Sequence, residues 1–112
     1  MAAIRQDDFI QSVADAFQFI SYYHPEDYIR DLAAAWRREE SPAAKDAMAQ
    51  ILINSRMAAE GHRPICQDTG IAIAFVRIGM NARFDATMTV GEMVNEGVRR
   101  AYTDPDNVLR AS

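Results

Sequence analysis

The sequence contains a single cysteine, Cys66, in 112 residues, so no intramolecular disulfide can form. That scarcity fits a reducing compartment, and a cytoplasmic location is the expectation. One cysteine and two histidines are also too few to close a four-ligand zinc site. There is no long hydrophobic run: the longest, residues 71–76, falls far short of the roughly 20 residues a membrane-spanning helix requires. The N-terminus, Met-Ala-Ala-Ile-Arg-Gln-Asp-Asp, has acids where a secretory signal carries positive charge ahead of an apolar stretch. Basic excess is missing too. Twelve Lys and Arg against sixteen Asp and Glu leave a net charge of −4, so neither nucleic acid nor a membrane surface is an expected partner. Among the five glycines, neither Gly79 nor Gly91 stands in a Gly-x-x-x-x-Gly-Lys phosphate loop.

What is present is an ordinary globular balance, 49% apolar and 25% charged, which argues against disorder and suits one domain of this length. Phe9, Val13, Phe17 and Ile20 recur at helical spacing, with Ile10 and Ala14 beside them. Pro25, Glu26 and Asp27 suit the start of a second helix, which carries Tyr28, Ile29, Leu32, Ala35 and Trp36 inward and closes at Glu39 and Glu40. Ser41-Pro42 reads as an N-cap and a first-turn proline. The third helix then turns Ala44, Met48, Ile51, Leu52 and Ala59 inward and stops at Gly61. Residues 62–70 read as a loop, and the apolar run 71–78, bounded by Gly70 and Gly79, as a buried strand. Residues 81–86 suit a short strand or a turn. Thr89 and Glu92 have capping-box spacing and open a helix with Val90, Met93, Val94, Val98 and Ala101 inward, ended by a turn at 103–106. The expected fold class is α+β and mostly helical: a helical part over about 6–61, a Cys loop over 62–70, and a sheet-and-helix part over 71–112. The chain stops at Ser112, just after starting a fresh segment, which suggests a cut through a longer protein; a frayed natural terminus is the alternative.

The one dense cluster of reactive side chains is His62-Arg-Pro-Ile-Cys-Gln-Asp-Thr-Gly70. Loops held by rigid neighbours often carry binding groups. Cys66 suits a thiolate ligand or nucleophile near Arg63, and Asp68 a general acid or base. Plain readings stand beside these: a small buried hydrophobe for Cys66, an Asx-type turn at Asp68-Thr69-Gly70, a helix-end cap for His62 and a helix boundary for His24. The core methionines Met48, Met57, Met88 and Met93 read as packing.

The run Arg63-Pro-Ile-Cys-Gln-Asp-Thr-Gly70, following a helix that ends Ala-Glu-Gly-His, resembles the N-terminal region of class I iron–sulfur fumarate hydratases. The stretches Ser21-Tyr-Tyr-His-Pro25, Ser41-Pro-Ala-Ala-Lys45, Asn95-Glu-Gly-Val-Arg-Arg100 and Asp106-Asn-Val-Leu-Arg-Ala-Ser112 resemble the single-chain bacterial members. Cys-Gln-Asp-Thr-Gly is the most specific piece, and the α subunit of L-tartrate dehydratase shares it. The resemblance implies a tricarboxylic acid cycle enzyme, a homodimer in its parent form. It would interconvert fumarate and L-malate on a [4Fe–4S] cluster held by three cysteines. By the same resemblance, Cys66 is the first cluster ligand and Gln67 hydrogen-bonds the substrate. Asp68 contacts the substrate and serves as an acid/base group, and Arg110 pairs with a substrate carboxylate.

The other two cluster cysteines are absent from these 112 residues, and one thiolate does not hold a cubane cluster. The polypeptide alone is therefore expected to bind no cluster and to be inactive. A tartrate dehydratase-type hydro-lyase is one alternative. A non-enzymatic helical interaction module, with Cys66 inert, is another.

Overall fold

The computed structural model describes residues 2–66, 70–106 and 109. In chain order the elements are β1 (Ile4–Arg5), α1 (Gln6–Tyr22), α2 (Glu26–Arg38), α3 (Pro42–Gly61), β2 (Phe84–Asp85) and α4 (Val90–Thr103). The chain divides into two compact units, residues 1–18 with 68–112, and residues 19–67. The mostly helical α+β class expected from the sequence is the class observed.

In the first unit, β1 pairs in parallel with β2, Ile4 opposite Phe84 and Arg5 opposite Asp85. The Ile4 N–H extends the ladder to the Arg83 carbonyl at 2.8 Å. Phe9 meets Phe84 edge to face, with centroids 5.6 Å apart. The Gln6 side-chain carbonyl accepts from the Thr87 and Met88 amides at 2.9 and 3.1 Å, tying the start of α1 to the approach of α4. Thr89 caps α4, its hydroxyl accepting from the Glu92 amide at 3.1 Å. Ile10, Ala14 and Phe17 of α1 are buried, as are Met93, Gly97 and Ala101 of α4, with Leu109 beyond it.

The two helices approach closely at Gly97, where a Cβ would lie 2.6 Å from the Val13 side chain and 2.9 Å from the Ile10 carbonyl oxygen. Gln18 Nε2 donates to the Ala101 carbonyl at 3.4 Å and to Asp104 at 3.1 Å, serving the C-terminal end of α4.

In the second unit α2 packs against α3. Between them, the Glu39 amide closes α2 on the Ala35 and Trp36 carbonyls, and its carboxylate accepts from the Glu40 and Ser41 amides. Lys45 Nζ donates to the Trp36 carbonyl at 2.9 Å and sits 4.4 Å from the centroid of the Trp36 ring. His24 Nδ1 meets Ser55 Oγ at 2.9 Å and its ring stacks on Tyr28. His24 thus links the α1–α2 corner to α3.

Five expectations are corrected. Residues 71–78 form no strand, and each of them is exposed, Phe75 at 96%. A strand exists by virtue of its ladder partner, and among the described residues this run has none; the small sheet is made by β1 and β2 instead. Ile20, placed on the core face of α1, is 61% exposed. Ile51 is 43% exposed and α2 contributes no buried residue, so α3 buries chiefly Ser55 and Ala58. Met57, read as a core position, is 65% exposed, while Ser41 takes the N-cap of α3 as expected, its hydroxyl making no capping bond. The left-handed residue ending α3 is His62 (φ 49°, ψ 52°) rather than Gly61.

Candidate active-site loop

The loop after α3 is shaped by its backbone bonds. The His62 and Arg63 amides both donate to the Ala58 carbonyl, folding the chain back over the last turn of the helix. A left-handed conformation costs a residue with a side chain roughly 1–2 kcal/mol, and the His62 ring is held in compensation. It stacks on Tyr22 with 5.3 Å between centroids and 5° between planes, and its Nε2 lies 3.0 Å from the Tyr23 hydroxyl. Pro64 then fixes its own φ and disfavours helical geometry at Arg63, so α3 does not resume.

Ile65 is anchored on both sides. Its N–H donates to the Ser21 carbonyl near the end of α1 at 2.8 Å. Its carbonyl accepts from Asn54 Nδ2 of α3 at 2.7 Å. Cys66 follows directly and is exposed. Exposure removes the reading of Cys66 as a buried hydrophobe. A shallow cavity of about 450 Å³ opens beside the loop, lined by Asn54, Met57, Gly61, Arg63 and Pro64 among others. Glu60 also lines it, so Arg63 is not its sole charge and the cavity has no strong preference for an anion.

Of the four residues expected at the site, Cys66 is the one that is described; Gln67, Asp68 and Arg110 lie outside the described residues. Among the described residues no three His, Cys, Asp or Glu side chains gather as a metal site. The chemistry of the donor fits an iron–sulfur cluster, for which thiolate is the usual ligand, but one thiolate supplies one of the three or four ligands required. Cys66 therefore suits one corner of such a group.

Sequence reasoning passed over Asn54, Tyr22 and Tyr23, which hold the loop. The available signal was a polar residue ending the apolar run Ile51-Leu-Ile-Asn54, too common a pattern on a helix to mark a loop clamp.

On α4, Glu96 receives a two-pronged pair of bonds from Arg99 at 2.8 and 2.7 Å and a third from Arg100 at 3.2 Å. The Arg99 bonds, opposed by partial desolvation and aided by Arg100, hold the Glu96 carboxyl down at about 2. Arg100 also reaches Asp7 of α1 at 3.5 Å. All of these side chains have charged partners, so the cluster reads as a brace for α4.

Residues 10–112 match the family described as fumarate hydratase (Fumerase), and the chain belongs to that family. It is also 36% identical over 89 residues to the "Putative L(+)-tartrate dehydratase subunit alpha" of Methanocaldococcus jannaschii. That match covers 80% of this chain and 31% of the relative, so the chain spans about a third of that protein's length. Both descriptions are of hydro-lyases. No helix among the described residues is long and apolar enough to cross a membrane.

Proposed function

We propose that this chain is the N-terminal region of a [4Fe–4S]-dependent hydro-lyase that interconverts fumarate and L-malate. Cys66 would supply one cluster ligand. The reading is supported above all by the family match across residues 10–112, which includes the Cys66 loop, and secondly by the exposure of Cys66 on a loop anchored to two helices. A cluster iron without a protein ligand supplies, when the cluster is bound, Lewis-acid polarisation of the departing hydroxyl.

The remaining roles belong to side chains. Gln67 donates a hydrogen bond to the substrate, and the Arg110 guanidinium pairs with a substrate carboxylate in bidentate fashion. Asp68 contacts the substrate and moves the proton α to the carboxylate. These roles rest on the resemblance of the Cys66–Gly70 and 106–112 stretches to the family. The 112-residue chain alone supplies one thiolate and is proposed to be inactive, a cytoplasmic enzyme's portion rather than the enzyme.

A second reading is favoured by a specific observation: the archaeal relative is described as a tartrate dehydratase subunit, so L-tartrate is the competing substrate. The test is to purify the natural gene product anaerobically and assay it with fumarate, L-malate and L-tartrate. Hydration of fumarate well above turnover of tartrate supports the first reading. The reverse ratio supports the second, and turnover of neither contradicts both.

A further inference from the structure

The bond between Asn54 and the Ile65 carbonyl is long-range in function though the residues are close in sequence, because the carbonyl it holds belongs to the peptide unit that carries the Cys66 nitrogen. A peptide unit is planar. Fixing the Ile65 carbonyl therefore fixes the plane from which the Cα of Cys66 departs. The other side of Ile65 is fixed independently, by its N–H on the Ser21 carbonyl at 2.8 Å. Two bonds to two different helices leave the backbone entering Cys66 little freedom, although the thiol itself is exposed.

Asn54 reaches the loop from α3 and also lines the cavity beside it. It lies on the third-last turn of α3, and its Nδ2 reaches the carbonyl at 2.7 Å, while Gln50 pairs with Asp46 and Arg56 with Glu60 along the helix itself.

We propose that Asn54 is a positioning residue: by holding the Ile65 carbonyl it sets the direction in which Cys66 is presented. This rests on the proposed role of Cys66 as a cluster ligand, since orientation matters most for a side chain that must meet a rigid inorganic group. Metal-site ligands in general depend on such supporting hydrogen bonds.

The single cysteine makes the test direct: on the 112-residue chain, kept dilute enough to be monomeric and first shown to be helical and to melt cooperatively, a nitroxide spin label can go only to Cys66. Asn54→Asp keeps the side chain's shape, removes its N–H donors and sets a carboxylate oxygen against the carbonyl. Asn54→Ala removes the contact altogether. Gln50→Glu is the control, making the same chemical change one turn earlier on the same helix. The expected result is that the mobile component of the spectrum rises about fivefold in both Asn54 variants, the population ratio that one such hydrogen bond supports, with helicity retained and the control unchanged.

A role confined to fold stability would lower the melting temperature without altering label mobility well below it. Spectra of the folded Asn54 variants that match the parent would overturn the proposal. The cluster reading fails or stands separately, on whether Cys66→Ser loses iron in the natural gene product.

Discussion

Gly97 carries more of the first unit than its size suggests. Any Cβ there lies 2.6 Å from Val13 and 2.9 Å from a backbone oxygen of α1, and backbone cannot swing aside as a long side chain can. Gly97→Ala should therefore destabilise the fold despite the better helix propensity of alanine, by about 1–3 kcal/mol, the usual cost of overpacking. Urea denaturation checks this, and a variant as stable as the parent would show that the helices separate freely. Glu96 gives the second prediction at this scale. Its carboxyl is held at about 2, below the ordinary 4.5, by Arg99 first and Arg100 after it. A carboxyl lowered by folding contributes stability that is fully present above its ordinary value and lost as pH falls from about 4.5 towards about 2. Stability measured across that window should fall less steeply in Glu96→Gln than in the parent, and added salt should reduce the difference because the pair lies near the surface.

Elements differ in how much of their reason lies inside them, and this decides what the sequence disclosed. The cap of α4 is local: Thr89 and Glu92 three residues apart announce it, and the bond is there at 3.1 Å. Thr89→Ala should cost about 1 kcal/mol in the same denaturation assay. The helices were legible for the same reason, since their periodicity and punctuation are written along a single stretch of chain. The segment 71–78 is the contrary case. Its composition speaks for a strand, yet a strand's hydrogen bonds are made by its neighbours, and none is at hand among the described residues. Residues such as Ile71, Phe75 and Met80 stand 86%, 96% and 102% exposed. An uncovered, β-prone segment with a single charge, Arg77, is a template for pairing with another chain. The 112-residue chain should therefore self-associate as its concentration rises, and Phe75→Lys should suppress this in sedimentation measurements without loss of helicity. Equally, β1 was invisible in the sequence: two residues, Ile4 and Arg5, become a strand because Phe84 and Asp85 lie alongside.

At the scale of the molecule, the sequence disclosed the candidate site through one motif rather than through pattern. Cys-Gln-Asp-Thr-Gly pointed to the family, and the match over residues 10–112 bears out the family. What holds the approach to Cys66 came from tertiary contacts that no periodicity encodes: the Ser21 carbonyl and the Asn54 amide on Ile65, and the His62 ring on Tyr22. The chain spans about a third of its archaeal relative's length, and its single thiolate fits a share in a cluster rather than a whole site. The central claim is that Cys66 is that share. The most direct test is the iron and acid-labile sulfide content of the natural gene product, purified anaerobically, beside its Cys66→Ser variant. The account predicts about four irons per chain in the parent and loss of the cluster in the folded variant. An iron-free parent, or a variant that keeps its full complement of iron and sulfide, would contradict it.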